Sequence, residues 1–181
     1  MGSYPETNLL SIPEPIAIVG TSCRFPGGAD SPSKLWSLLK NPQDIVQEIP
    51  PSRFDTKGFY NKDSQHHGSL NARHAYLLQD DPRAFDRDFF NISPKEAEAM
   101  DPQQRCLLET VYEGVESAGY SIPQLQGSAT GVFVGAMSFD YQFVAMRGFD
   151  SLPQYHATGT SMSILANRLS YFFDWRGPSV A

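Results

Sequence analysis

Two short apolar runs, each closed by glycine, constrain this chain more than any other feature. Pro15-Ile16-Ala17-Ile18-Val19-Gly20 and Gly131-Val132-Phe133-Val134-Gly135 are continuous rather than alternating, the pattern of strands buried on both faces. Helical stretches lie between them, and Ser179-Val180-Ala181 reads as the opening of a further strand. Strands alternating with helices imply an α/β fold, yet two complete strands are too few for a free-standing sheet. The expectation is an α/β domain whose sheet is incomplete.

The helices announce themselves by caps and period. Ser31-Pro32-Ser33 offers a cap with proline in the first turn, and Leu35, Trp36, Leu38 and Leu39 supply an apolar face that ends by Asn41-Pro42. Ser93-Pro94 with Glu96 fits a capping box opening a short helix through Met100, after which Asp101-Pro102 restarts the chain. Leu107, Leu108, Val111, Val115 and Ala118 then mark one face of a long helix ended by Gly119. A short helix is expected over Ser138 to Arg147. A final one is expected from about Gly159 to Phe173, on Met162, Leu165, Leu169 and Phe172 or Phe173, stopped by Asp174-Trp175-Arg176-Gly177-Pro178.

Residues 1–13 have the polarity and proline content of a leader or linker, so the domain is taken as 14–181. Residues 41–90 carry Pro50-Pro51, Gly58, Gly68 and mixed charges without sustained period, and read as irregular structure over the body of the domain.

Composition excludes several classes of function. With 14 basic against 20 acidic residues and a net charge of −6, the chain lacks the cationic surface that tracks phosphates, so nucleic acid is not an expected partner. No apolar run approaches the ~20 residues that span a bilayer, and residues 1–13 do not resemble a signal peptide, which gives a cytoplasmic expectation without a membrane partner. Glu6 stands where a myristoylation site needs Ser or Thr, and the sequon Asn91-Ile92-Ser93 carries no meaning without secretion.

Local motifs carry little chemistry. The loop Gly20 to Gly28 follows a strand, but its glycine spacing matches neither the dinucleotide fingerprint nor the P-loop, so it reads as structural. Cys23 beside Arg24 has a cation that favours thiolate, yet an inert half-buried thiol is the plainer reading, and Cys106 beside Leu107 and Leu108 reads as core or near-core. His66, His67 and His74 lack a matched ligand at metal spacing. Asp80, Asp81, Asp86 and Asp88 alternate with Arg83 and Arg87 and read as a self-neutralised surface.

Longer blocks carry a resemblance. Pro15 to Gly20 with Cys23-Arg24-Phe25-Pro26-Gly27-Gly28, Leu35-Trp36, Glu48-Ile49-Pro50 and Arg53-Phe54-Asp55 resemble the opening of β-ketoacyl synthase domains of type I polyketide synthases. Phe85-Asp86, the run Phe89 to Ala97 and Met100-Asp101-Pro102-Gln103-Gln104-Arg105 are more specific to that family. Thr130 to Gly135, Asp140-Tyr141, Ala166 to Tyr171 and Arg176-Gly177-Pro178-Ser179 continue it in the same order. Gly68-Ser69-Leu70-Asn71 and Phe172-Phe173-Asp174 are similar to the fungal highly reducing iterative subgroup.

The resemblance implies a thiolase-like fold of layered α-β-α-β-α type, of which this chain supplies an incomplete first half. It implies decarboxylative Claisen condensation, with acyl groups carried on the phosphopantetheine of an acyl carrier protein and no cofactor or metal bound directly. The acyl carrier and acyltransferase domains of the parent synthase are the implied partners, in a homodimer. In the family the nucleophilic cysteine follows the Arg-Gly-Pro-Ser strand in an Asp-Thr-Ala-Cys-Ser-Ser setting, with two histidines far beyond, so no residue of this chain is assigned a catalytic role. Met137, Phe139, Tyr155, Thr158 and Gly159 fall where the family has its dimer interface and acyl pocket, and ordinary packing is their alternative. Three functions stay open: part of a condensing enzyme, inactive alone; a non-catalytic dimerising or carrier-docking module; and an inactive remnant.

Overall fold

A computed structural model describes residues 14–148 and 152–181. The leader expected over 1–13 lies outside the described residues.

Helix α1 (Pro32–Lys40) starts where the Ser31 hydroxyl accepts from the Lys34 amide at 3.4 Å. Short strands β1 (Gln47–Glu48) and β2 (His74–Ala75) pair antiparallel, with Gln47 opposite Ala75. Helix α2 (Pro94–Ala99) opens on Ser93, whose hydroxyl accepts from the Glu96 amide at 3.2 Å. The long helix α3 (Pro102–Ser117) opens on Asp101, whose carboxylate accepts from the Gln103 amide at 2.8 Å. It stops at Gly119, whose φ of 78° is left-handed and disfavours a side chain. There follow α4 (Ile122–Leu125), β3 (Val132–Phe133), α5 (Asp140–Ala145), α6 (His156–Thr160), α7 (Met162–Phe173) and β4 (Ser179–Val180).

The core sits where α3 and α7 cross and α7 lies on the β3–β4 pair. Met100, Leu108, Ala166, Leu169 and Phe173 are fully buried there. Burial of each large side chain contributes about 1.5–3 kcal/mol. Phe90, Phe172, Phe173 and Trp175 extend the core as a run of rings, with Phe173 and Trp175 stacked at 4.5 Å. Strands β3 and β4 pair in parallel, Val132 opposite Ser179 and Phe133 opposite Val180. The Val132 amide donates to the Pro178 carbonyl at 2.7 Å and the Val134 amide to the Val180 carbonyl at 2.9 Å.

Four expectations need correction. Residues 15–20 form no strand, because no described strand lies beside them to pair, and Ile16 and Ile18 stand 97% and 87% exposed. Their downstream end is nevertheless packed, since a Cβ on Gly20 would lie 2.4 Å from the Gly114 carbonyl oxygen of α3. The helix expected over 159–173 is two helices, broken where Ser161 takes ψ 132°, an extended geometry in which serine favours a helix start. The capping box at 93–96 is half made: Ser93 caps α2, while the Glu96 carboxylate turns to Arg168 at 2.7 Å. Within 41–90, the β1–β2 pair and a 3₁₀ turn at Thr56–Gly58 give order where irregular structure was expected.

Candidate functional site

The junction between α2 and α3 gathers the parts of the chain that sequence reading nominated. Two consecutive glutamines, opening α3 under the Asp101 cap, reach two distant segments. Gln103 Nε2 donates to the Ser138 carbonyl at 2.9 Å, and Gln104 Nε2 donates to the Thr158 carbonyl at 3.1 Å. The Asp101 amide donates to the Gly159 carbonyl at 2.8 Å. Tyr141 of α5 donates its hydroxyl to the Glu98 carbonyl at 3.0 Å. The loop after β3, helix α5 and helix α6 are thereby tied to one place.

Arg168 of α7 completes the junction from the other side. Its Nη1 donates to Glu96 Oε1 at 2.7 Å, its Nε to Gln104 Oε1 at 2.9 Å, and its Nη2 reaches the Thr158 carbonyl at 3.5 Å. The side chains of Arg168 and Glu96 are 11% and 24% exposed, so the pair is well shielded from water. Charge-assisted bonds of this kind are about twice as strong as neutral ones.

The five nominated residues fall on both sides of this frame. Gly159 is buried, and its lack of a side chain is required, because a Cβ there would lie 2.1 Å from the Ala99 carbonyl oxygen. Thr158 gives its carbonyl to the frame and keeps its side chain at the surface, where the hydroxyl donates to the Tyr155 carbonyl at 3.2 Å. Tyr155 is half-buried at the N-terminus of α6. Met137 stands 92% exposed, and Phe139 packs on Phe143 of α5 with ring centroids 5.6 Å apart. Glu96 was read from sequence only as part of a capping box, and Gln103, Gln104 and Arg168 only within the blocks that carry the resemblance; none was nominated for the site.

A concavity of about 800 Å³ lies where Arg24, Asp86, Arg105, Cys106 and Glu109 face the loop around Pro82. Arg24 makes a two-pronged ion pair with Glu113, which raises the basicity of its guanidinium. Burial pushes the Glu109 carboxyl above its ordinary value, against the Asp86 backbone and Arg24, which pull it down. Cys106 sits half-buried with its sulfur 3.9 Å from the Thr110 hydroxyl, and Cys23 lies 3.7 Å from the Ala29 carbonyl. Neither thiol has a histidine partner to act with it among the described hydrogen bonds. Asp81 and Arg83 pair at 2.8 Å, holding the Asp81 carboxyl down to about 2, as a self-neutralised surface requires. Among the described residues, no group of His, Cys, Asp or Glu is gathered to hold a metal, and no helix is long and apolar enough to cross a membrane.

Comparison with known proteins decides what this frame is part of. The model of the β-ketoacyl synthase N-terminal domain matches residues 13–181. The chain belongs to this ketosynthase family. It is 73% identical over 93% of its length to polyketide synthase 19 of Gibberella fujikuroi, and 74% identical over 92% to the reducing polyketide synthase grgA of a Penicillium species. It spans about 7% of each of those relatives. The oxazolomycin ketosynthase domain OzmH KS7 of Streptomyces albus JA3453 superposes with a TM-score of 0.80 at 39% identity, covering 91% of this chain and 28% of that domain chain. The fold is therefore the thiolase-like α/β arrangement of ketosynthases, here in its N-terminal part, and the similarity to fungal reducing synthases read from Gly68–Asn71 and Phe172–Asp174 agrees with the relatives found.

Proposed function

We propose that this chain is the N-terminal portion of a ketosynthase that performs decarboxylative Claisen condensation in polyketide biosynthesis. The observation that carries this reading is β4. It runs parallel to β3, and Ser179 is held at both sides, donating to Asn167 at 2.8 Å and accepting from Ser170 at 3.1 Å. A strand fixed in this way aims whatever follows it. In ketosynthases the nucleophilic cysteine follows this Arg-Gly-Pro-Ser strand within a few residues.

In that reaction the cysteine thiolate attacks the thioester of an acyl chain on carrier protein, and the carrier thiol leaves. Loss of CO₂ from malonyl-carrier protein then leaves an enolate that attacks the enzyme-bound thioester, forming the new C–C bond and freeing the cysteine. Acyl groups reach it on the phosphopantetheine of the acyl carrier protein domain, loaded by the acyltransferase domain, in a cytoplasmic homodimer. Met137, Phe139, Tyr155, Thr158 and Gly159 of this chain lie near the subunit contact and the acyl pocket.

A second reading is a non-catalytic dimerising or carrier-docking module, favoured by the exposure of Met137 and Tyr171, 92% and 90%. One experiment separates the two. Residues 14–181 replace the corresponding segment in the ketosynthase of the Penicillium relative, and condensation of acyl- and malonyl-carrier protein is assayed. The condensing reading predicts product at a rate within about tenfold of the parent. A soluble, folded swap that forms no product overturns it in favour of the module.

A further inference from the structure

We propose that Arg168 is a positioning residue that seats α6 and thereby sets which acyl chain lengths the condensing site accepts. The inference rests on the reading above, in which Tyr155 and Thr158 lie near the acyl pocket and subunit contact.

Helix α6 has five residues, far fewer than a helix needs to hold itself, so its position depends on what grips it. The described polar grips come from the α2–α3 junction and from α7, while α5 packs against α6 as well. Gly159 presses against the Ala99 carbonyl and receives the Asp101 amide, and the preceding carbonyl, that of Thr158, is reached by both Gln104 and Arg168. The Thr158 side chain itself is exposed. Beyond Thr160 the backbone leaves helical geometry at Ser161, so α7 starts as a separate helix rather than continuing α6.

Among the described residues, Arg168 joins these grips into a unit. One planar guanidinium serves an acceptor on α2 (Glu96), one on α3 (Gln104) and one on α6 (Thr158), at 2.7, 2.9 and 3.5 Å. By accepting from Arg168, the Gln104 amide is oriented so that its nitrogen points at Thr158. A lysine, with one nitrogen, cannot reach all three acceptors in that fixed fork. Loss of the fork leaves the fold core of Leu108, Leu169 and Phe173 untouched, while α6 gains freedom to shift. Misplacement by about 1 Å at a reacting site costs up to a hundredfold in rate, and a shifted pocket wall acts unequally on short and long chains.

The test uses the ketosynthase swap described above, as wild type, Arg168→Lys and Glu96→Gln. Hydrogen exchange is followed over 156–161 and 165–173, and relative kcat/KM is measured for a short and a long acyl primer. The expected result for Arg168→Lys is faster exchange confined to 156–161, preserved protection over 165–173, and a change of fivefold or more in the short-to-long ratio. Glu96→Gln keeps an acceptor for Arg168 and is expected to shift the ratio less. Equal slowing for both primers, or unchanged exchange over 156–161, overturns the inference. A wild-type swap that never condenses overturns the underlying function instead, and is seen without any Arg168 variant.

Discussion

Gly159 lies so close to Ala99 that a Cβ on the glycine would sit 2.1 Å from the Ala99 carbonyl oxygen and 3.2 Å from the Met100 nitrogen. The contact is with backbone on both sides, so no side chain can swing away to relieve it. The next residue, Asp101, donates its amide to the Gly159 carbonyl at 2.8 Å, which makes the α2–α3 junction and α6 one packed unit.

Substitution Gly159→Ala is therefore expected to destabilise the fold by at least the ~1–3 kcal/mol typical of overpacking. Gly58→Ala is the control, because nothing lies within 4 Å of its Cβ position, and a change within about 0.5 kcal/mol is expected there. Urea midpoints of the two variants in a soluble ketosynthase carrying this chain check the contrast.

Glu109 predicts a pH dependence of opposite sense to that of most carboxylates. Burial raises its pKa in the folded chain, so the folded state holds the proton more tightly than the unfolded one. Stability from this group is then greatest below the ordinary carboxylate range, about pH 4, and is lost as pH rises through that range to the raised value. Glu109→Gln should raise the melting temperature at pH 7 and leave it unchanged near pH 4. A gain that is equal at both values would assign the effect to packing instead.

Ile16 and Ile18 are 97% and 87% exposed in the segment that forms no strand, and apolar surface of this kind drives association. The chain produced alone is expected to self-associate in a concentration-dependent manner, as seen by sedimentation. Ile16→Lys together with Ile18→Lys should reduce that association, without loss of helical signal from the α3–α7 core. A stable monomer with a cooperative unfolding transition would contradict this.

What the sequence disclosed divides by range. Caps and helix ends were legible because Ser31, Ser93, Asp101 and Gly119 act within one turn of themselves. The β3 run was legible by composition, and its partner Ser179–Val180 by position. Residues 15–20 had the same composition but needed a neighbour strand, and pairing is a long-range property that apolar pattern cannot report. Glu96 matched a local capping rule and was drawn instead to Arg168, a cation seventy-two residues away along the chain. Around the candidate site, resemblance nominated Thr158 and Gly159. It did not disclose that the frame grips them by backbone carbonyls, a role that leaves almost no mark on side-chain identity. Gln104 was equally silent, since a buried glutamine is informative only once its partners are known.

The central claim, that this chain opens a condensing ketosynthase, is tested most directly by reading the transcript beyond the codon for Ala181. The account predicts that the frame runs from Arg176-Gly177-Pro178-Ser179 into Asp-Thr-Ala-Cys-Ser-Ser within a few codons, and later into two histidines of ketosynthase type. A frame that stops, or continues without that cysteine, would contradict it.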